Sequence, residues 1–145
     1  MESLPKNVQG YLDGKILLIN KPLGWTSFDV VKKIKNLIRT KYNLKKLKVG
    51  HAGTLDPLAT GLLIICTGKF TKQISKLQGQ AKVYSGDITL GGTTPSYDLE
   101  TEIDAKFATN HISVQLIKET TSKFIGEIDQ KPPIYSALKR GGERL

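Results

Sequence analysis

The chain has 145 residues, 39% hydrophobic and 24% charged, which is a globular composition and the length of one domain of roughly 100–200 residues. It carries a net charge of +9, and residues 1–50 hold 11 Lys/Arg against 3 Asp/Glu, so nearly all the excess lies in the first third. A single cysteine excludes an internal disulfide, two histidines leave little for a zinc or haem site, and no apolar run approaches the ~20 residues that span a bilayer.

Met1 to Gly10 lacks the apolar stretch of a secretory signal, so a cytoplasmic protein is expected. Gly14 to Asn20 reads as a short buried strand ended by Lys21-Pro22-Leu23-Gly24, because Pro fixes its own φ and lacks a donor N–H. Thr26 or Ser27 then offers a helix N-cap, and Thr26 with Asp29 has the spacing of a capping box. Val30, Val31, Ile34, Leu37 and Ile38 then fall on one face of a helix whose other face carries Lys32, Lys33, Lys35 and Arg39. Tyr42 to Val49 is a basic connector, and Gly50 to Gly61 has no period and reads as an ordered loop. Leu62 to Cys66 is a continuous apolar strand, and Thr71 to Leu77 a short helix. Lys82 to Leu90 alternates, which predicts a half-buried strand with Tyr84 on the core side. Gly91 to Asp98 is a turn-rich loop, Ser113 to Phe124 a helix, and Phe124 to Asp129 a strand stopped by Lys131-Pro132-Pro133. Strands and helices mixed without βαβ alternation give an α+β class.

The cations between Lys32 and Lys48 attract polyanions by displacing counterions, and a solvated helix face with a basic loop fits the charge equally well. Gly68-Lys69 follows a strand but is no P-loop: Leu63 stands at the first glycine position and Phe70 at the Ser/Thr position. His51 and His111 are too far apart in sequence for a recognisable metal-ligand spacing. Cys66, inside an apolar run, reads as inert core. What remains is Asp56, on an irregular loop before a buried strand, kept extended by Pro57. Such an aspartate serves as a nucleophile or base, or as an Asp-Pro turn or helix cap, and pattern alone favours the turn. His51 and Tyr84 read alike as a surface histidine and a core tyrosine, or as site residues.

Gly50-His51-Ala52-Gly53-Thr54-Leu55-Asp56-Pro57-Leu58-Ala59-Thr60-Gly61 resembles the catalytic motif of the TruB family of tRNA pseudouridine synthases. Lys21-Pro22-Leu23-Gly24-Trp25-Thr26-Ser27 resembles the family's first motif. Lys82-Val83-Tyr84 with Leu90-Gly91-Gly92 resembles the third, and Lys131 to Lys139 a later one. Pro95 and Thr101 depart from the family's usual residues in a loop.

The resemblance implies a pseudouridine synthase-like mixed sheet with flanking helices, here as the N-terminal portion (1–145) of a catalytic domain. The remainder of that domain, with an active-site arginine, and a PUA-type RNA-binding domain are expected to lie outside the chain. It further implies an isomerase acting on uridine 55 in the tRNA T-loop, with Asp56 catalytic and His51 and Tyr84 contacting the RNA. No cofactor or metal is needed for that reaction, and no membrane partner is expected. The alternative is a catalytically incomplete RNA-binding fragment, since the 145 residues alone are expected to turn over little or not at all. An uncovered sheet edge in such a fragment invites self-association.

Overall fold

The computed structural model describes residues 7–130 and the backbone of 139–140 and 143–144. The chain divides into two compact units, Met1–Tyr84 and Ser85–Leu145.

The first unit begins with α1 (Val8–Asp13), whose Asn7 side chain caps the Gly10 N–H. Strand β1 (Ile16–Lys21) leads into α2 (Ser27–Lys41), then come β2 (Val49–His51), β3 (Gly61–Thr67), a 3₁₀ segment (Gly68–Gln73) and α3 (Ile74–Gln78). The strands form an antiparallel sheet ordered β1-β3-β2, with Ile16 opposite Cys66, Lys21 opposite Gly61, and Val49 opposite Thr67. The central strand is the most buried, as a continuous apolar run requires: Leu63, Ile65, Cys66 and Thr67 are all shielded from solvent.

Helix α2 starts where the sequence places it. Thr26 caps the Asp29 N–H, and the Asp29 carboxylate accepts from the Thr26 N–H and hydroxyl. Its stripe of Val30, Val31 and Ile38 joins Tyr11, Leu17, Leu47, Leu63 and Ile65 in one apolar core. Each such side chain stabilises the fold by about 1.5–3 kcal/mol on burial. Gly68 (φ +53) turns the chain from β3 into the 3₁₀ segment, and any Cβ there would collide with the Leu12 carbonyl.

The second unit holds β4 (Gly92–Thr93) paired with β5 (Ala105–Lys106), α4 (Val114–Ser122) capped by Ser113, and β6 (Lys139–Arg140) paired with β7 (Glu143–Arg144).

The mixture of helix and antiparallel strand is α+β, as expected. Three expectations are corrected. Residues 82–90 are not a strand, and Tyr84 is 73% exposed rather than on the core side. Alternation assigns faces only when a neighbour completes the ladder, and no described strand pairs with this segment. Residues 124–129 likewise form no strand, and Phe124 and Ile125 are exposed. The aperiodic loop is shorter than read, because Val49–His51 pairs with β3 before it begins. Helix α1 lies in a stretch that carries no strong period. The stop at Lys131-Pro132-Pro133 and most of the later motif lie outside the described residues.

Candidate functional site

The loop between β2 and β3 is held by the segment that joins β1 to α2. Pro22 to Trp25 makes a tight turn, with the Trp25 N–H donating to the Pro22 carbonyl at 3.4 Å and Gly24 at φ +77. A positive φ at the third turn position is the type II geometry, which glycine adopts without strain. The freed Gly24 N–H donates to the Pro57 carbonyl at 2.8 Å. One residue into α2, the buried Ser27 hydroxyl accepts from the Leu55 N–H at 2.9 Å and donates to the Leu55 carbonyl at 3.1 Å.

Lys21 completes the clasp. It follows Leu17 and Ile19 on the inward face of β1 and is 0% exposed. Its Nζ donates to the carbonyls of Pro22 (3.1 Å), Trp25 (2.5 Å) and Pro57 (3.4 Å). A buried ammonium is tolerated only with such bonding, and here backbone oxygens supply it without a carboxylate.

Asp56 therefore has both flanking residues pinned, Leu55 by Ser27 and Pro57 by Gly24 and Lys21. Its carbonyl accepts from the Ala59 N–H at 3.0 Å. Its side chain is exposed and makes no hydrogen bond or ion pair among the described residues. The turn reading accounts for its backbone and leaves the carboxylate without a structural role.

His51, at the end of β2, is half-buried and its Nδ1 lies 2.5 Å from the Gly53 carbonyl. That carbonyl only accepts, so Nδ1 carries the proton and Nε2 is left for a ligand. His51 and Asp56 thus share one clasped loop. No hydrogen bond or ring contact links Tyr84 to this loop among the described residues. Beside the clasp, a groove of about 360 Å³ runs along Gly24, Trp25, Lys32, Lys33 and Asn36. Asp29 borders it, but its carboxylate is committed to the helix cap, and the Thr26 hydrogen bonds hold its pKa below the usual carboxylate range.

Cys66 is buried, and burial pushes its thiol pKa up, which leaves it unsuited to nucleophilic work. Among the described residues there is no group of three or more His, Cys, Asp or Glu placed to hold a metal ion. None of their helices is long and apolar enough to cross a membrane. The sequence singles out Asp56 and His51 but places Ser27 only as a candidate helix cap and Lys21 only in a turn, neither in the site. The signal for Lys21 was its phase with Leu17 and Ile19.

A model of the TruB family pseudouridylate synthase (N terminal domain) matches residues 39–145. The chain is 66% identical over 136 residues to tRNA pseudouridine synthase B of Flavobacterium johnsoniae, covering 93% of this chain and 59% of that protein. It is 54% identical over 134 residues to the protein of the same name from Phocaeicola vulgatus, covering 92% of this chain and 57% of the relative. Against that of Chloroherpeton thalassium it is 54% identical over 135 residues, covering 92% and 54%. The chain thus spans less than two thirds of the length of these relatives.

Proposed function

The chain belongs to the TruB family of pseudouridylate synthases, and from that premise we propose that it serves as the N-terminal part of a catalytic domain that isomerises uridine to pseudouridine in tRNA. The observation that carries this reading is the Asp56 loop, clasped through its backbone on both flanks while the carboxylate stands free. A reacting group needs that arrangement, because chemistry at a fixed point demands a rigid frame and an uncommitted side chain.

In the reaction the N1–C1′ bond of uridine breaks, the uracil turns, and C5 bonds to C1′. The proton leaving C5 is balanced by one gained at N1, so substrate and product are isomers and no electrons are exchanged. Asp56 acts either by attacking C1′ or by taking a proton from the sugar to assist departure of the uracil. Both routes place its carboxylate against the ribose of the target nucleotide. That nucleotide must leave its stack, which costs a few kcal/mol. His51 is proposed to meet the RNA through Nε2 beside the extruded base. Trp25, with Lys32 and Lys33 in the adjacent groove, offers an aromatic face flanked by cations, which suits unstacked RNA. Tyr84 is retained as a base-stacking residue only on family resemblance. Uridine 55 of the T-loop is the proposed target on the same ground, and the cytoplasm the proposed compartment.

The test is to incubate the intact protein, this chain taken together with the rest of the catalytic domain, and its Asp56→Asn and Asp56→Ala variants with unmodified tRNA and to map pseudouridine by position. Product at position 55, lost in both variants with tRNA binding retained, is expected. Product formed at the unaltered rate by Asp56→Ala rules the role out.

A further inference from the structure

A second basic feature lies at the far end of the sheet from Asp56. Between the later turns of α2, the α2–β2 connection and the 3₁₀ segment is a cleft of about 540 Å³. Lys35 and Arg39 of α2, three lysines of the connection, and Lys69 and Lys72 line it, with no acidic residue among them. Among the described residues only Lys69 of these is ion-paired, to Asp13 at 2.8 Å.

The cradle is built rather than loose. The Leu44 N–H donates to the Arg39 carbonyl at 2.9 Å, and the Arg39 Nε–H donates to the Leu44 carbonyl at 3.2 Å. Leu47 is buried in the core, and the Gly68 N–H donates to the Lys48 carbonyl at 2.9 Å. The connection is therefore tied at its start, middle and end, and Lys45, Lys46 and Lys48 project from a fixed backbone. Gathering like charges in one cleft is unfavourable in itself, and a polyanion reverses the sign.

Position separates this cleft from the candidate site. The Asp56 loop enters β3 at Gly61, whereas Lys48 and Gly68 lie beyond its other end at Thr67. Seven extended residues put the two ends about 20 Å apart at ~3.3 Å per residue.

We propose that this cleft seats a second stretch of RNA phosphate backbone, so that a folded RNA is gripped about 20 Å from the nucleotide presented to Asp56. The inference rests on reading the Asp56 loop as an RNA-modifying site. Phosphate contacts carry no sequence choice, so the cleft sets register and favours an RNA large enough to reach both places. A whole tRNA meets that requirement better than an isolated T-arm hairpin.

The test compares the intact protein with its Lys45→Gln/Lys46→Gln/Lys48→Gln variant, all three being exposed positions. Binding of unmodified tRNA and of the T-arm hairpin is measured across a salt series. Expected is a tRNA affinity lowered at least about tenfold at 0.1 M salt, with a log–log salt slope shallower by roughly 2 to 3. Hairpin affinity stays unchanged, and the matching Lys→Arg variant binds tRNA like the unaltered protein. Unchanged tRNA affinity and slope overturn the proposal, as does an equal loss for hairpin and tRNA. Inorganic tripolyphosphate is added as a third arm. If it binds the unaltered protein and not the variant while the tRNA slope stays put, the cleft belongs to a small polyanion instead. Pseudouridine formation on the hairpin at saturation is read in parallel. Its absence from the unaltered protein sinks the Asp56 reading and leaves the binding comparison intact.

Discussion

Replacing Lys21 with methionine tests whether the clasp, rather than the loop's own sequence, holds Asp56 in place. Methionine preserves the length and the packing of the aliphatic stem while removing three donors. The Pro57 and Pro22 carbonyls keep their Gly24 and Trp25 N–H partners, but that of Trp25 loses its Nζ bond at 2.5 Å. A carbonyl stranded away from water costs about 1–3 kcal/mol. Against this, the variant no longer has to desolvate an ammonium, a penalty of several kcal/mol that the carbonyls offset only in part. The balance is a destabilisation of about 2 kcal/mol, less than the gross loss of the charge-assisted bonds. For a chain of this size that corresponds to a fall of about 6 °C in Tm. Thermal unfolding followed by circular dichroism reads the stability. Steady-state kinetics on unmodified tRNA, run well below the variant's Tm, read the geometry. A drop in kcat larger than the rise in KM is expected, because a loosened loop misplaces the carboxylate without removing the RNA-binding cations. A variant that melts within about 2 °C of the unaltered protein and keeps its kcat would refute the argument, since a few kcal/mol of clasp energy cannot vanish from both.

Ser27→Ala strands the Leu55 N–H and carbonyl together and should cost about 1–3 kcal/mol for each. It should lower turnover with tRNA affinity held, and the reverse pattern, affinity lost and turnover kept, would contradict the assigned clamp. The Asp29 cap gives a pH dependence with a definite sign. Thr26 holds the Asp29 pKa below its unfolded value, so the cap stabilises α2 fully above the unfolded carboxyl range, near pH 4. The contribution is lost as pH falls through the lower folded value, so Tm measured from pH 7 to 3 should fall less steeply at the acid end in Asp29→Ala. Parallel acid limbs for the two proteins would show that the carboxylate adds nothing.

Strand β1, helix α2 and strand β3 are legible because each carries its instruction locally: an apolar run closed by Pro22, a capping box at Thr26 and Asp29, and five uninterrupted apolar residues. Val49-Gly50-His51 contains one strongly apolar residue and becomes a strand only because β3 presents an edge, which is not a property of those three residues. Lys82 to Leu90 shows the converse. Its alternation is sound, but a strand is a relation between two segments, and without a described partner Tyr84 is exposed rather than inward.

The same distinction explains what was missed at the site. Asp56 stood out by its loop and its neighbour Pro57, whereas Lys21 was read as part of a turn because Pro22 follows it. Its inward phase with Leu17 and Ile19 was the clue, and what gives that phase meaning is the convergence of carbonyls from residues up to 36 positions away. The division of labour follows from this. Asp56 contributes no side-chain bond to the fold described here, so changing it should alter chemistry and spare stability. Lys21 and Ser27 spend their polar atoms on the backbone around it, so changing them should alter stability and chemistry together. A freely disposed carboxylate at this position is possible only because other residues satisfy the backbone on either side of it.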